Sequence, residues 1–412
     1  MPDKLCKVVN MKPFSSIAQR MQPSAIRQMT KLSAVAGRDL ITFAGGMPNP
    51  LTFPLEQLAE YAASEIRDNE GRSLQYGLTA GVRPLVQWVC EHVSAKGVPA
   101  KPENVVCTTG SQQAIDLIAQ ILIDPGDYIF VENPTYLGAL IAFVKTGGQF
   151  VPVAQDNQGL ILEDLERRLA AVPADSKKLI YIISNFQNPS GISLAEERRR
   201  RLPDLLEKYD AYLIEDDPYG ELYFGENNIP PAPVAASGSD RIFYLGTASK
   251  LVAPTFRTGW AVAVEPLMKR LELAKEAADL CGSMLDQRIV YRFCSSKQFP
   301  EHLKMLRAFY EIRYKAIEDA LSREMPEGIS WTKPTGGFFI WVTLPTSLDA
   351  ESFIEESILE AKVSYVIGRP FTCDQSAKNC LRLAFSVEEP DRIREGIARL
   401  AAVIRKRMEI SS

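Results

Sequence analysis

Histidine is almost missing from this chain of 412 residues; there are two, His92 and His302, both in helical-looking stretches. A mechanism built on imidazole has little to work with, and a surface or packing role suits each of them. Paired cysteines are missing too. The seven cysteines (Cys6, Cys90, Cys107, Cys281, Cys294, Cys373 and Cys380) are odd in number, scattered and without a C-x-x-C pair. That argues against zinc and disulfide frameworks and fits reduced core thiols. No stretch stays apolar for the ~20 residues that span a bilayer, and the opening Met1-Pro-Asp-Lys-Leu-Cys-Lys7 has no apolar run of secretion-signal length. The expected setting is cytoplasmic, with no membrane partner. Nor does one sign of charge dominate: 47 basic residues face 51 acidic ones, net −4, which leaves no basic footprint for nucleic acid. A G-x-G-x-x-G turn after the first strand is also absent, and with it the fingerprint of nicotinamide-dependent enzymes.

What is present is globular in character, with 46% hydrophobic and 24% charged residues and length enough for two domains. Between about Asn104 and Val264, short apolar runs alternate with amphipathic stretches. Val105–Cys107, Tyr128–Val131, Lys178–Ile183, Ala211–Ile214, Ile242–Leu245 and Trp260–Val264 read as strands buried on both faces. Helices fit Gln112–Leu122, Leu137–Lys145, Leu162–Ala171 and Leu194–Lys208. This alternation predicts an α/β fold with a mostly parallel sheet, whose ligands lie at the carboxyl ends of the strands. A long helical region follows, from Pro266 to about Arg323. Beyond it, Ile329–Thr332, Gly337–Val342, Val363–Ile367 and Cys380–Phe385 suggest a smaller sheet flanked by helices at Ala350–Ala361 and Pro390–Met408, hence an α+β domain. The segment before Glu56, with Pro48, Pro50, Pro54 and Gly45-Gly46, reads as an irregular arm. The expected division is an arm over 1–55, a large domain over 56–300 and a small domain over 301–412. The charged run Glu196-Glu-Arg-Arg-Arg-Arg201 reads as a solvated helix face, with acids first and bases later to suit the dipole and i,i+4 pairing.

Four features fall at predicted strand ends. Thr108-Thr-Gly-Ser-Gln112 joins a strand to a helix, where the glycine, the exposed N–H groups and the Ser111 hydroxyl suit a phosphate. Asn185-Phe-Gln-Asn-Pro-Ser-Gly191 follows a strand as a turn. Glu215-Asp-Asp-Pro-Tyr219 ends an apolar strand, and an acid emerging there is costly unless paired, so Asp216 is expected to face a cation. Gly246-Thr-Ala-Ser-Lys250, with Arg257 seven residues on, offers one amine and several phosphate ligands in a single loop. Taken singly, each is more often an ordinary turn or cap than a site.

Together, in this order, they resemble the class I/II aminotransferases of pyridoxal 5′-phosphate (PLP) fold type I. Phe43-Ala-Gly-Gly-Met-Pro-Asn-Pro50, Leu74-Gln-Tyr76, Ser111-Gln-Gln113 and Glu215-Asp-Asp-Pro-Tyr219 are most similar to the kynurenine/2-aminoadipate and aromatic aminotransferase branch. The resemblance runs from about Met21 to Arg405. It implies a seven-stranded, mostly parallel sheet sandwiched by helices, PLP as cofactor, and amino acid and 2-oxoacid substrates. Lys250 is then the Schiff-base lysine, which also carries the proton during transfer. Asp216 lies beside the ring nitrogen, Tyr219 and Asn188 donate to the cofactor's phenolate oxygen, and Tyr136 stacks on the ring. Ser111, Gln112, Thr247, Ser249 and Arg257 anchor the phosphate, with Tyr76 reaching in from a second subunit, which implies a homodimer. Thr247 stands where relatives often have serine. Phe186-Gln187 is a less common filling of the Asn188 loop and bears on the pocket wall. Arg382, with Asn188 and Gly46, receives the substrate α-carboxylate, for which a planar, bidentate guanidinium is suited. Arg27 aligns with an arm arginine that meets a side-chain carboxylate or swings aside for an aromatic ring. The implied amino donors are 2-aminoadipate, glutamate, kynurenine, tyrosine or phenylalanine, and the implied acceptor is 2-oxoglutarate. A PLP-dependent lyase or a specialised biosynthetic transaminase is the alternative on the same site. A PLP-sensing transcription regulator would carry a winged DNA-binding domain ahead of Gly45-Gly46, where this sequence has fewer than fifty residues.

Overall fold

The computed structural model describes residues 14–21, 37, 39–68 and 70–411. At its centre is an eight-stranded sheet. Across it lie Val105–Thr108, Gly259–Val262, Ile242–Thr247, Ala211–Asp216, Lys178–Ile183, Tyr128–Asn133, Gln149–Asp156 and Gly159–Leu160, in that spatial order. The pairings from Ile242–Thr247 through Gln149–Asp156 are parallel. Gly259–Val262 runs antiparallel to both neighbours, and the two-residue Gly159–Leu160 is antiparallel at the far edge. The runs read as apolar on both faces are all strands of this sheet, with Val105–Thr108 at its edge. Lys178–Ile183 and Ile242–Thr247 are buried at every position, because helices at Ser111–Leu122, Leu137–Phe143, Leu162–Ala170 and Glu196–Lys208 fill the crossovers. Gln149–Asp156 escaped the reading of the sequence. Only Val153 in it is buried, and Pro152 masks the alternation.

The smaller sheet is antiparallel and four-stranded, with Ser330–Trp331, Phe339–Thr343, Cys380–Ala384 and Val366–Ile367 in that order. One expected strand, 363–367, is in fact two. Val363–Ser364 pairs in parallel with Ile41–Thr42 of the arm, while Val366–Ile367 joins the small sheet. Between them Tyr365 is fully buried, and its hydroxyl donates to Ala350 O at 2.7 Å, which turns the chain from one sheet to the other. A backbone hydrogen bond also ties the arm to the small sheet, Ala384 N donating to Phe43 O at 2.8 Å.

The long helical region breaks into Glu265–Asp279, Met284–Cys294 and Phe299–Glu324. Leu280 at φ +59 and the capping hydroxyl of Ser283, which accepts from Asp286 N at 3.3 Å, account for the first break. The run at 196–201 also differs from expectation. Arg198, Arg200 and Arg201 pair outward with Asp156, Glu196 and Glu163, but Arg199 turns inward. It is 3% exposed and donates to Ser184 O, Asn185 Oδ1 and Leu194 O. His92 stacks on Trp88, and burial holds its pKa down to about 4. Cys90, Cys107, Cys294 and Cys380 are buried free thiols. Among the described residues no helix is long and apolar enough to cross a membrane, and no cluster could hold a metal ion.

Candidate active site

A cavity of about 480 Å³ opens at the carboxyl edge of the parallel strands. Five strands deliver a lining residue just past their ends: Ser111 after Thr108, Tyr136 after Asn133, Asn188 after Ile183, Tyr219 after Asp216 and Lys250 after Thr247. Arg257 reaches the same edge by preceding Gly259–Val262, because that strand runs the opposite way. Arg382 comes from the middle of the small sheet and Gly46 from the arm, so sheet, small sheet and arm close on one space.

Asp216 forms the floor. It is 2% exposed; its Oδ2 accepts the Tyr181 hydroxyl at 2.9 Å, and its Oδ1 is buried with no partner. Burial pushes its pKa up to about 7 against the pull of the Tyr181 hydrogen bond, with Asp217 adding repulsion. Among the described residues no cation meets Asp216, against expectation. Its neighbour Asp217 takes that part, facing Lys96 at 3.5 Å and accepting from Tyr244, Asn185 and Gly220 N. Consecutive residues at a strand end face opposite sides, which separates the two carboxylates.

Lys250 donates to Gly46 O at 3.1 Å. Burial, then Arg257 and Arg382, lower its pKa to about 8. Arg382 is 2% exposed, donates to Asn188 Oδ1 at 3.0 Å and Ala44 O at 2.6 Å, and lies over the Phe339 ring at 4.6 Å. Its Nε is buried without a partner. Burial brings its pKa down to about 10. Tyr219 is buried and hydrogen-bonded to Asn188, and burial raises its phenol well above the ordinary range. A Cβ on Gly46 would stand 2.7 Å from the Phe339 ring, so only glycine lets the arm pass this close.

At the other end, Arg257 donates to Ser249 Oγ and Thr109 O at 3.4 Å each, and Thr247 Oγ1 lies 3.0 Å from Ser249 Oγ. These groups face the start of the Ser111–Leu122 helix, whose free N–H groups and dipole suit an anion. Gly110, at φ +73, lies under the guanidinium; a Cβ there would stand 2.5 Å from Arg257 Nη2. Gln112 is held by Gly138 O at 2.7 Å.

The cavity therefore brings together Gly46, Ser111, Gln112, Tyr136, Asn188, Asp216, Tyr219, Thr247, Ser249, Lys250, Arg257 and Arg382. Tyr76 is not among them; it stands apart, 80% exposed. Arg27 lies outside the described residues. Against the expectation for Phe186-Gln187, neither residue lines the cavity, and Gln187 faces the other way. It donates to Glu132 Oε2 at 3.0 Å and Pro134 O at 2.8 Å and accepts from Ser190, and so braces the Asn188 loop from behind. Thr42 and Val387 also line the cavity, and Tyr181 supports it through Asp216; Tyr181 has one sign in the sequence, a hydroxyl on an otherwise apolar strand, and the other two have none.

The family profile of aminotransferase class I and II matches residues 44–400. The chain is 40% identical over 406 residues to aromatic-amino-acid aminotransferase 1 of Thermococcus litoralis, covering 97% of this chain and 95% of that protein. It is 36% identical over 394 residues to 2-aminoadipate transaminase of Thermus thermophilus, covering 95% and 96%. The crystal structure of Pyrococcus horikoshii kynurenine aminotransferase, in complex with PMP and with KYN as substrate and KYA as product, superposes with a TM-score of 0.90. It is 38% identical and covers 96% of this chain and 97% of that one. The protein belongs to the class I and II aminotransferases, of PLP fold type I, and its cofactor is pyridoxal 5′-phosphate. The residues present fit that group: a buried carboxylate oxygen lacks a donor, an amine of lowered pKa lines the same cavity, and a cradle of hydroxyls and guanidinium over Gly110 suits an anion.

Proposed function

We propose that this aminotransferase moves the amino group of 2-aminoadipate, glutamate, or an aromatic or kynurenine-like L-amino acid to a 2-oxoacid such as 2-oxoglutarate, in a ping-pong cycle. The observation that carries the reading is the convergence of Lys250, Asp216 and Arg382 on one cavity of about 480 Å³. The relatives that act on aromatic amino acids, 2-aminoadipate and KYN support the corresponding donors.

When bound, the cofactor supplies an electron sink for the charge left at the substrate Cα. The rest falls to the chain. Asp216 Oδ1, buried and unpaired, accepts from the pyridine nitrogen and keeps it protonated. Arg382, aligned by Asn188 and Ala44 O, receives the α-carboxylate and so fixes which substrate bond lies over Lys250. With a pKa near 8, Lys250 is partly neutral at physiological pH and can take the proton from Cα and return it. Tyr219 and Asn188 donate to the phenolate oxygen, and Tyr136 covers the ring. Ser111, Gln112, Thr247, Ser249 and Arg257 hold the phosphate. Tyr76 would complete the phosphate site of a second subunit, making the enzyme a cytoplasmic homodimer. The division into an arm over 1–55, a large domain over 56–300 and a small domain over 301–412 belongs to the same reading. Arg27 is assigned to the far carboxylate of dicarboxylic donors.

A panel of amino donors against 2-oxoglutarate and pyruvate tests the substrate class. Arg27→Ala should weaken dicarboxylic donors more than aromatic ones, and equal effects would remove the basis for naming the former. With one donor and no oxoacid, turnover should stop after a single equivalent per site; continued turnover would indicate a lyase.

A further inference from the structure

We propose that Tyr181 is a positioning residue for amino transfer: its hydroxyl ties down one oxygen of Asp216 so that the other is aimed at the cofactor's pyridine nitrogen. The inference rests on the role given to Asp216 above. Tyr181 sits on the fully buried strand Lys178–Ile183, in register with Ile214 on the Asp216 strand. Its own exposure is nil, and its ring meets Phe143 edge to face at 5.5 Å between centroids. That wall fixes the ring, and the hydroxyl donates to Asp216 Oδ2 at 2.9 Å.

The consequence is an asymmetric carboxylate. Oδ2 is satisfied inside the protein, while Oδ1 is buried with no partner on a residue that lines the cavity. A carboxylate with both oxygens free would sample rotations about its terminal torsion; one held oxygen leaves one orientation. The other ionisable groups around Asp216 are Asp217 and the phenols of Tyr136 and Tyr219. No described cation shares it, so the Tyr181 hydroxyl is the only one of these groups that acts to keep Asp216 ionised. Packing alone does not explain the hydroxyl, since phenylalanine would fill almost the same volume.

Tyr181→Phe tests this. Expected are a roughly tenfold weaker Kd for pyridoxal 5′-phosphate, read by absorbance titration of the apoenzyme, and a roughly tenfold lower kcat, with the KM of the amino donor within about twofold. In the Asp216→Asn background the same substitution should add nothing, because Tyr181 acts through Asp216. Site-specific 3,5-difluorotyrosine at position 181 keeps the packing and strengthens the donor; it should tighten cofactor binding, and it serves if the phenylalanine variant does not fold. A phenylalanine variant that loses only thermal stability, with Kd, kcat and KM unchanged, would overturn the proposal. So would an equal loss in the Asp216→Asn background, or unchanged binding with difluorotyrosine. A wild-type protein that stayed colourless with pyridoxal 5′-phosphate would overturn the cofactor site itself, which separates the two failures.

Discussion

Lys250, Arg257 and Arg382 line one cavity; burial, reinforced by repulsion from the two guanidinium groups, brings the lysine amine down to about 8. The sign of the pH dependence follows. Below that value the free amine is protonated and cannot take a proton; above it the amine is neutral. The single-turnover rate with an amino donor should therefore rise from about pH 7, reach half its maximum near the amine pKa of about 8 and level off above about pH 9, a profile a stopped-flow series would read. Lys250→Ala should lose the absorbance band of the lysine-bound cofactor and nearly all activity. Arg382→Lys keeps the charge but gives up the planar fork that Asn188 and Ala44 O align. The KM of every amino donor should rise about tenfold or more, with a smaller effect on kcat.

The elements work by presenting backbone as much as side chains. Gly110, between the first strand and its helix, has φ +73 and no room for a Cβ beneath Arg257, whereas Gly126, at φ +99, has open space around it. Alanine at either should cost about 1 kcal/mol in stability. Only Gly110→Ala should also weaken cofactor binding, which titration of the two apoproteins would distinguish. The Glu196–Lys208 helix holds the Asn188 loop through Arg199, which is buried and bonded to carbonyls and to Asn185. Arg199→Met should strand those acceptors and lower stability by about 3 kcal/mol, seen as a drop in Tm.

On the scale of the whole molecule, the arm strand Ile41–Thr42 is hydrogen-bonded to Val363–Ser364, and Gly46 and Arg382 meet over the cavity that the large sheet floors. Tyr76, 80% exposed and away from its own cavity, makes sense when a second copy supplies the phosphate contact. The protein should then sediment at twice its 45.8 kDa chain mass. Co-expressed Lys250→Ala and Tyr76→Ala chains should regain activity neither has alone, to about a quarter of wild type, because mixed dimers contain one intact site. No recovery would mean each chain works by itself.

The strands that carry the site were legible because they are apolar on both faces, and the residues after them because a buried strand that ends in Asp216 or Lys250 calls for a partner. Local pattern also sufficed for the smaller sheet. It did not reveal Gln149–Asp156, which buries too little to show a period, nor the division of 363–367, where two short strands pair with different partners. Arg199 looked like its neighbours, since nothing in a run of arginines tells which one lies over the Ser184 and Asn185 carbonyl oxygens. The order of residue types by itself determined the family and the cofactor. Tertiary structure alone decided that Asp217 rather than Asp216 takes the internal cation, that Gln187 faces away from the pocket, and that Tyr181 holds one oxygen of Asp216. Those outcomes depend on distances between strands, which no local spacing encodes.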